Sequence, residues 1–543
     1  MKRILCLMLA LFCILPIVAC GNTNPPLDAD GTTTATPDDT DSVTTDANGS
    51  VFDPEDSDVT TVPTTPTLPG PDDLFKNDPP LDLGGYTYKG YVPMMQNVPY
   101  IEDFEVDYLD HFSTAIDYAA YERNKAIEET YNCRIRQCYA TTRGMYDEMT
   151  RFYFNGEKYE LAILFASAAA TCATVSLLQN VYTLDNINLS HSAYDQNSIE
   201  QLAMGGKLHY LSGDMNISTM DWSAVTVFNS DLFDKYDFVT LCGNGAYDDL
   251  YEMVAQGTWT ISAMLEMAEV VNVDGNENGV LNPSEESEDV LGYFAYVASP
   301  LYYWYGCGAR ITSVDSDNGY PTLTFGSDEA SKDLFDFLFD SLNNKTEGNE
   351  WIASGSNLYH HSSLMANRLL FSDNVLWNVR KVLHPQNKAR YGILPTPKYN
   401  EAQEEYHNVV NWPYTGTFLW SIPRLCRDTE KASFVFQLMA EYSHAQNGTM
   451  QAYFEESLCK DMTTDSGALA TMRIIRSSVT YDIFLLYNWG NLIFPLIRDL
   501  GTADENLYEK TITAEALDVV LADMNLTLER FKHPIEPQIE DAA

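Results

Sequence analysis

Seven residues, Tyr159-Glu160-Leu161-Ala162-Ile163-Leu164-Phe165, set the terms for what this chain can fold into. Apolar side chains fall on both faces of such a run, so a strand here must be covered on both sides, as strands of a parallel sheet are. The residues before it supply the partners. Leu83-Gly84-Gly85-Tyr86-Thr87-Tyr88 alternates around a double glycine and predicts a first strand. From Tyr121 to Tyr131, Arg123, Lys125, Glu128 and Glu129 fall on a wet side and Ala126 and Ile127 on a dry one, which predicts a helix. Cys133-Arg134-Ile135 then reads as a second short strand. Strand, helix, strand and buried strand predict an α/β chain. The small-residue stretch Ala166 to Thr174 is expected to be a loop at a strand end, where open α/β sheets place ligand-facing segments.

Further along, Gly205 to Asp214 reads as a turn and a strand, and Ala224 to Asn229 as another apolar strand. Helices are predicted over Thr260 to Val271, Ser331 to Leu342, Thr429 to His444 and Thr513 to Phe531, where apolar residues recur every three or four positions. No internal repeat is visible.

The amino terminus carries a different message. Met1-Lys2-Arg3 precedes an apolar run from Ile4 to Ala19, shorter than the roughly 20 residues a membrane span needs, so residues 1–19 read as a signal peptide. Ile17-Val18-Ala19-Cys20-Gly21 resembles a lipobox, with Cys20 as the lipidated residue. Residues 20–82 follow as an expected tether. Between Gly21 and Pro80 thirteen acidic residues stand against the single Lys76, among Thr, Pro, Gly and Ser, and such a composition cannot bury enough apolar surface to offset chain entropy.

Residues 83–543 are more than one core usually holds, which predicts two lobes. A formal charge of −46 disfavours nucleic acid and strongly anionic ligands, which would approach against a repulsive field. Seven cysteines remain beyond Cys20, an odd number at irregular spacing, which argues against a disulfide framework, although Cys133 and Cys138 are near enough in sequence to bridge.

Several stretches, in order, resemble the extracellular solute-binding proteins of ABC importers, the family that includes maltose- and other sugar-binding lipoproteins. They are Gly206-Lys207-Leu208-His209-Tyr210 followed by Val227 to Phe233, then Gly257-Thr258-Trp259-Thr260, then Tyr391 to Tyr399. The resemblance spans most of Leu83 to Lys532. It implies a two-lobed, periplasmic-binding-protein-like α/β fold (type II), with the lobes interleaved in sequence over residues 83–543 and a ligand cleft between lobes joined by crossing hinge segments. It further implies a monomer that captures a small solute, a carbohydrate before a peptide, and passes it to ABC permease subunits. Such a protein is expected to be lipid-anchored at the extracellular face of the membrane of a Gram-positive bacterium.

Sugars present apolar C–H faces and rings of hydroxyls, so their sites combine flat aromatics with a few polar side chains. The candidates are the cluster Tyr302, Tyr303 and Trp304; Asp214, Asp221 and Trp222 around the hinge-like stretch; Trp377; Trp412 and Tyr414; and Asp482 and Trp489. Each tryptophan is equally open to a core role. One local motif stands apart: Asp274, Asn276, Asn278, the Val280 carbonyl and Glu285 match a twelve-position calcium loop with Gly279 at its bend, so a structural Ca2+ is an expectation, while no cofactor is required. None of the H-E-x-x-H, G-x-S-x-G, Walker or dinucleotide-turn motifs occurs, so an enzyme is not expected. A sensory receptor and a glycoside hydrolase, which would need two opposed carboxylates, remain the alternatives.

Overall fold

The structure, a computed structural model, describes residues 81–95, 98–99, 104, 114–141, 144–279, 281, 288–295, 298–326, 329–343, 357–386, 388–410, 417–458, 466–492 and 514–533. All lie within the compact unit Pro66–Ala543. The signal segment, Cys20 and the tether up to residue 80 fall outside them, as do Trp412, Tyr414, Val280 and Glu285.

The strands that build the fold are β1 (Tyr86–Met95), β2 (Cys133–Thr141), β3 (Leu161–Phe165), β4 (Ala224–Asn229), β5 (Leu291–Phe294), β6 (Leu369–Val375), β7 (Tyr391–Pro395) and β8 (Phe418–Ser421). The helices that matter to the site are α1 (Ala115–Tyr131), α2 (Ala166–Thr174), α3 (Ile217–Asp221), α4 (Ser299–Gly306), α5 (Thr429–His444) and α6 (Ser466–Ser477). In the first sheet β1 lies between β2 and β3, parallel to both, with Tyr86 opposite Cys133 and Gly90 opposite Leu161. β8 closes its other edge antiparallel to β3, Phe418 opposite Phe165. Leu161 to Leu164 are completely buried, as their two-sided apolar pattern requires.

The second sheet runs in the order β7, β4, β6, β5. β4 is antiparallel to both neighbours, while β6 and β5 run parallel. The carboxyl ends of β5, β6 and β7 therefore share one edge of this sheet with the start of β4. Among the described residues, three chain segments connect the two sheets. Leu211 pairs with Trp420 of β8, and the chain continues through α3 into β4. After β7 the chain returns through Asn408–Val409 to β8. A third passage, Val479–Thr480, leads from α6, which packs on β7, to Ile483–Tyr487, which packs on α2. These passages bond to one another: Val479 lies parallel to Asn408, Val410 donates to the Thr480 carbonyl at 3.0 Å, and Ser223 bridges to Val410. Two lobes joined by hydrogen-bonded crossings are thus the architecture.

Local chemistry explains the ends of the elements. Thr114 and Asp117 form a reciprocal capping box at the start of α1, and Asp428 caps α5 through the Lys431 N–H. Three sequence expectations change. Ala166 to Thr174 is helix α2 rather than a loop, consistent with five alanines, the strongest helix former, in nine residues. Gly205 and Gly206 do turn with positive φ, but the following residues make isolated bridges, not a strand. Cys133 and Cys138 are both free; an odd separation along β2 sends their side chains to opposite faces.

Candidate functional site

Trp222 and Trp377 come together where the first crossing enters the second lobe. Trp222 is the residue that ends α3, and Trp377 stands two residues beyond the carboxyl end of β6, whose Val375 lies opposite Ala224. Their rings stack with centroids 5.8 Å apart and planes 13° from parallel. Both are partly buried and packed against the core, so part of each residue stays accessible. Two stacked, nearly parallel indoles at the shared carboxyl edge of a sheet form an apolar aromatic platform with polar N–H edges.

Asp221, beside Trp222, does not face solvent. Its carboxylate accepts from Arg380 Nε at 3.1 Å and from Arg380 Nη2, with both side chains nearly completely buried. Asp214 is also fully engaged: one oxygen meets His444 Nδ1 at 2.5 Å and the other Arg476 Nη2 at 2.5 Å. His444 ends α5 in the first lobe, whereas Arg476 belongs to α6, so Asp214 ties a crossing segment to elements of both lobes. It lines a cavity of about 350 Å³, together with Asp195, Asn197, Thr219, Arg473 and Tyr481. Burial pushes the Asp195 carboxyl up to about 6, against the opposing effect of hydrogen bonds from Tyr481 and the Ser198 and Asn197 N–H groups.

The aromatic cluster, whose Tyr302, Tyr303 and Trp304 are ligand-contact candidates in the sequence, is enclosed: α4 buries Tyr302, Tyr303, Trp304 and Tyr305, each at most 1% exposed. A helix apolar on every side belongs inside a domain. Trp304 packs edge-on against Phe325, with centroids 5.1 Å apart. Tyr303 donates to Asp373 Oδ1 at 2.9 Å, and Tyr293 donates to the other oxygen. Burial is the main cause that raises the Asp373 carboxyl to about 6, opposed by its hydroxyl donors.

Asp482 and Trp489 likewise turn inward. Asp482 accepts from Tyr305 Oη at 2.9 Å, from the Ile311, Thr312 and Phe484 N–H groups, and from Thr312 Oγ1 at 2.5 Å. With five donors it is a structural hub, with little left for a ligand. Trp489 stacks on Tyr487 at 4.9 Å and donates to Thr527 Oγ1 at 3.0 Å.

The calcium-type loop forms a turn in its described part. Asp274 accepts the Asn278 and Gly279 N–H groups at 3.2 and 2.6 Å, and Gly279 has φ of 80°. The buried Asp289, outside the motif, accepts the Gly275 N–H at 2.9 Å. Among the described residues no group of three or more His, Cys, Asp or Glu side chains is arranged to hold a metal ion.

Sequence reasoning therefore reached one partner in each of these interactions and missed the other: Arg380 for Asp221, and His444 and Arg476 for Asp214. Their separation of more than 150 residues from those partners left no local signal. For Arg380 a hint existed, a lone guanidinium three residues after Trp377 in an apolar stretch.

Solved structures share this architecture. A cyclo/maltodextrin-binding protein complexed with maltotetraose matches with a TM-score of 0.51 and 11% identity, over 83% of this chain and 98% of that one. The maltose-binding periplasmic protein of Listeria monocytogenes, in complex with maltose, matches with a TM-score of 0.51 and 11% identity, over 81% and 98%. The fold is that two-lobed α/β fold. No family model matches the sequence, and no curated protein matches it.

Proposed function

We propose that this chain is an extracellular solute-binding protein that captures a carbohydrate, hands it to an ABC importer and catalyses nothing. The observation that carries the reading is the Trp222–Trp377 platform at a lobe junction. Stacked indoles match the C–H face of a pyranose, and a cleft contacted from two sides lets bound ligand favour the closed arrangement. The two similar structures are named as binding proteins and hold maltotetraose and maltose, which makes malto-oligosaccharides the first probes. In the same reading a lipid on Cys20 keeps the receptor near its membrane partner, and a Ca2+ in the 274–285 loop is structural. Mass spectrometry of the mature amino terminus tests the first, and a melting temperature unchanged by chelator would reject the second.

Isothermal titration with maltotetraose, with product analysis of the same mixture, tests the central statement. Saturable binding of unaltered sugar is the expected result. Cleavage of the sugar would turn the reading toward a glycoside hydrolase, and binding of peptides alone toward a peptide receptor. Truncating an aromatic anchor typically costs ~2 kcal/mol or more, so Trp222→Ala and Trp377→Ala should each weaken binding about thirtyfold.

A further inference from the structure

The platform's two rings lie on separate chain segments, and among the described residues neither indole N–H has a hydrogen-bond partner to fix its angle. Their near-parallel setting must come from what holds the segments. Asp221 immediately precedes Trp222, and Arg380 follows Trp377 by three residues. The two charged side chains meet as a bidentate pair, Nε on Oδ1 at 3.1 Å and Nη2 on Oδ2, both buried. Such a fork fixes position and plane together, which a point contact cannot do.

The setting of Arg380 adds to this. It belongs to a π-helical turn, Val379–Leu383, and its guanidinium lies 5.6 Å above the ring of Tyr453. Tyr453 comes from a second π-helical segment, Ala452–Leu458, packed on α1 of the first lobe. π-Helical turns interrupt the regular ladder and occur often at functional sites. A buried ion pair contributes little net stability, because desolvation offsets the attraction. Fixing geometry is the role left to it.

We propose that Arg380 is a positioning residue for the aromatic platform: by clamping Asp221 it holds Trp222 parallel to Trp377. As a contribution to ligand capture, the inference rests on the sugar-binding reading above. The positioning itself can be measured without ligand. Two indoles 5.8 Å apart couple excitonically, and far-ultraviolet circular dichroism reports their mutual angle. Trp222→Phe and Trp377→Phe, each subtracted from the wild type, isolate that couplet. Arg380→Lys keeps the charge and loses the fork, and Asp221→Asn is a second, isosteric variant for use if the first does not fold.

The expected result is a couplet lost or inverted in the folded variant, with maltotetraose affinity about tenfold weaker, since placement of an aromatic anchor carries much of a binding energy. Asp221→Asn combined with Arg380→Gln, a neutral pair still able to hydrogen-bond, should restore part of both. A variant with a lower melting temperature but an unchanged couplet would overturn the proposal, leaving Arg380 a merely stabilising residue. A couplet that depends on Arg380 in a protein that binds no saccharide would support the positioning and refute the sugar reading. Normal sugar binding with an indifferent couplet would do the reverse.

Discussion

Trp304 fills a site with no solvent contact, while Trp222 is only partly buried. The two should therefore fail differently. Trp304→Ala should cost about 3–5 kcal/mol in urea unfolding, as buried aromatic truncations do, while the folded remainder binds ligand as before. Trp222→Ala should show the opposite pattern. Asp373 gives a pH test. Its folded value of about 6 lies above the ordinary 3.8, so its favourable contribution is complete below about pH 4 and is lost as pH rises through 6. Asp195 acts with the same sign, whereas His209, pushed down to about 4 by burial, loses its contribution as pH falls. The whole-protein curve mixes these effects, so the comparison is with Asp373→Asn. Relative to wild type that variant should gain stability between pH 4 and 7, and a constant difference in urea midpoints would refute this. At this scale the sequence made Trp222 and Trp377 legible as flat side chains beside hinge-like and strand-end residues. It could not show that Tyr302 to Tyr305 are enclosed, because burial depends on Phe325, Asp373 and Asp482, all distant in the chain.

Elements with strong periodicity were readable: Thr429 to His444 is helix α5 from its first residue to its last, and Ala224 to Asn229 is β4. Elements set by tertiary partners were not. The Ala166 to Thr174 stretch was ambiguous because small residues suit a loop as well as a helix, and contacts with Ile483–Tyr487 decide for the helix. The crossing after Gly206 has strand-like composition, yet among the described residues its backbone pairs with β8 at Leu211 alone, and the Asn216 side chain reaches the Phe418 carbonyl instead. Asp482 shows how one side chain binds elements together. It holds Ile311 and Thr312, at the start of the small hairpin Thr312–Val314 and Pro321–Leu323, against the third crossing. Asp482→Ala should leave the N–H groups of Ile311 and Thr312, together with that of Phe484, without this acceptor. Hydrogen exchange at Ile311 and Thr312 should then accelerate by about tenfold or more relative to the core of β3, consistent with local opening below the global limit. Unchanged exchange at those amides would show that the hairpin is held by other contacts.

At the scale of the molecule, the described crossings that join the two lobes are hydrogen-bonded to one another, and the proposed closure would turn the lobes about them. The −46 charge leaves neutral ligands the electrostatically easier partners, and the proposed sugar capture agrees with that. The Arg476–Asp214 contact beside the 350 Å³ cavity is one place where such a turn would be felt. Two lobes were legible from chain length and βαβ order, but the pairing of crossings was not, because it joins Ser223, Val410 and Thr480 across more than 250 residues. The central claim, a binder that closes on a carbohydrate, is tested most directly by small-angle scattering of the soluble domain with and without saturating maltotetraose, alongside titration calorimetry. The account predicts a smaller radius of gyration in the presence of sugar, lost in Trp222→Ala at the same concentration. Saturable binding with an unchanged scattering curve would contradict closure, and no binding of any neutral saccharide would contradict the function.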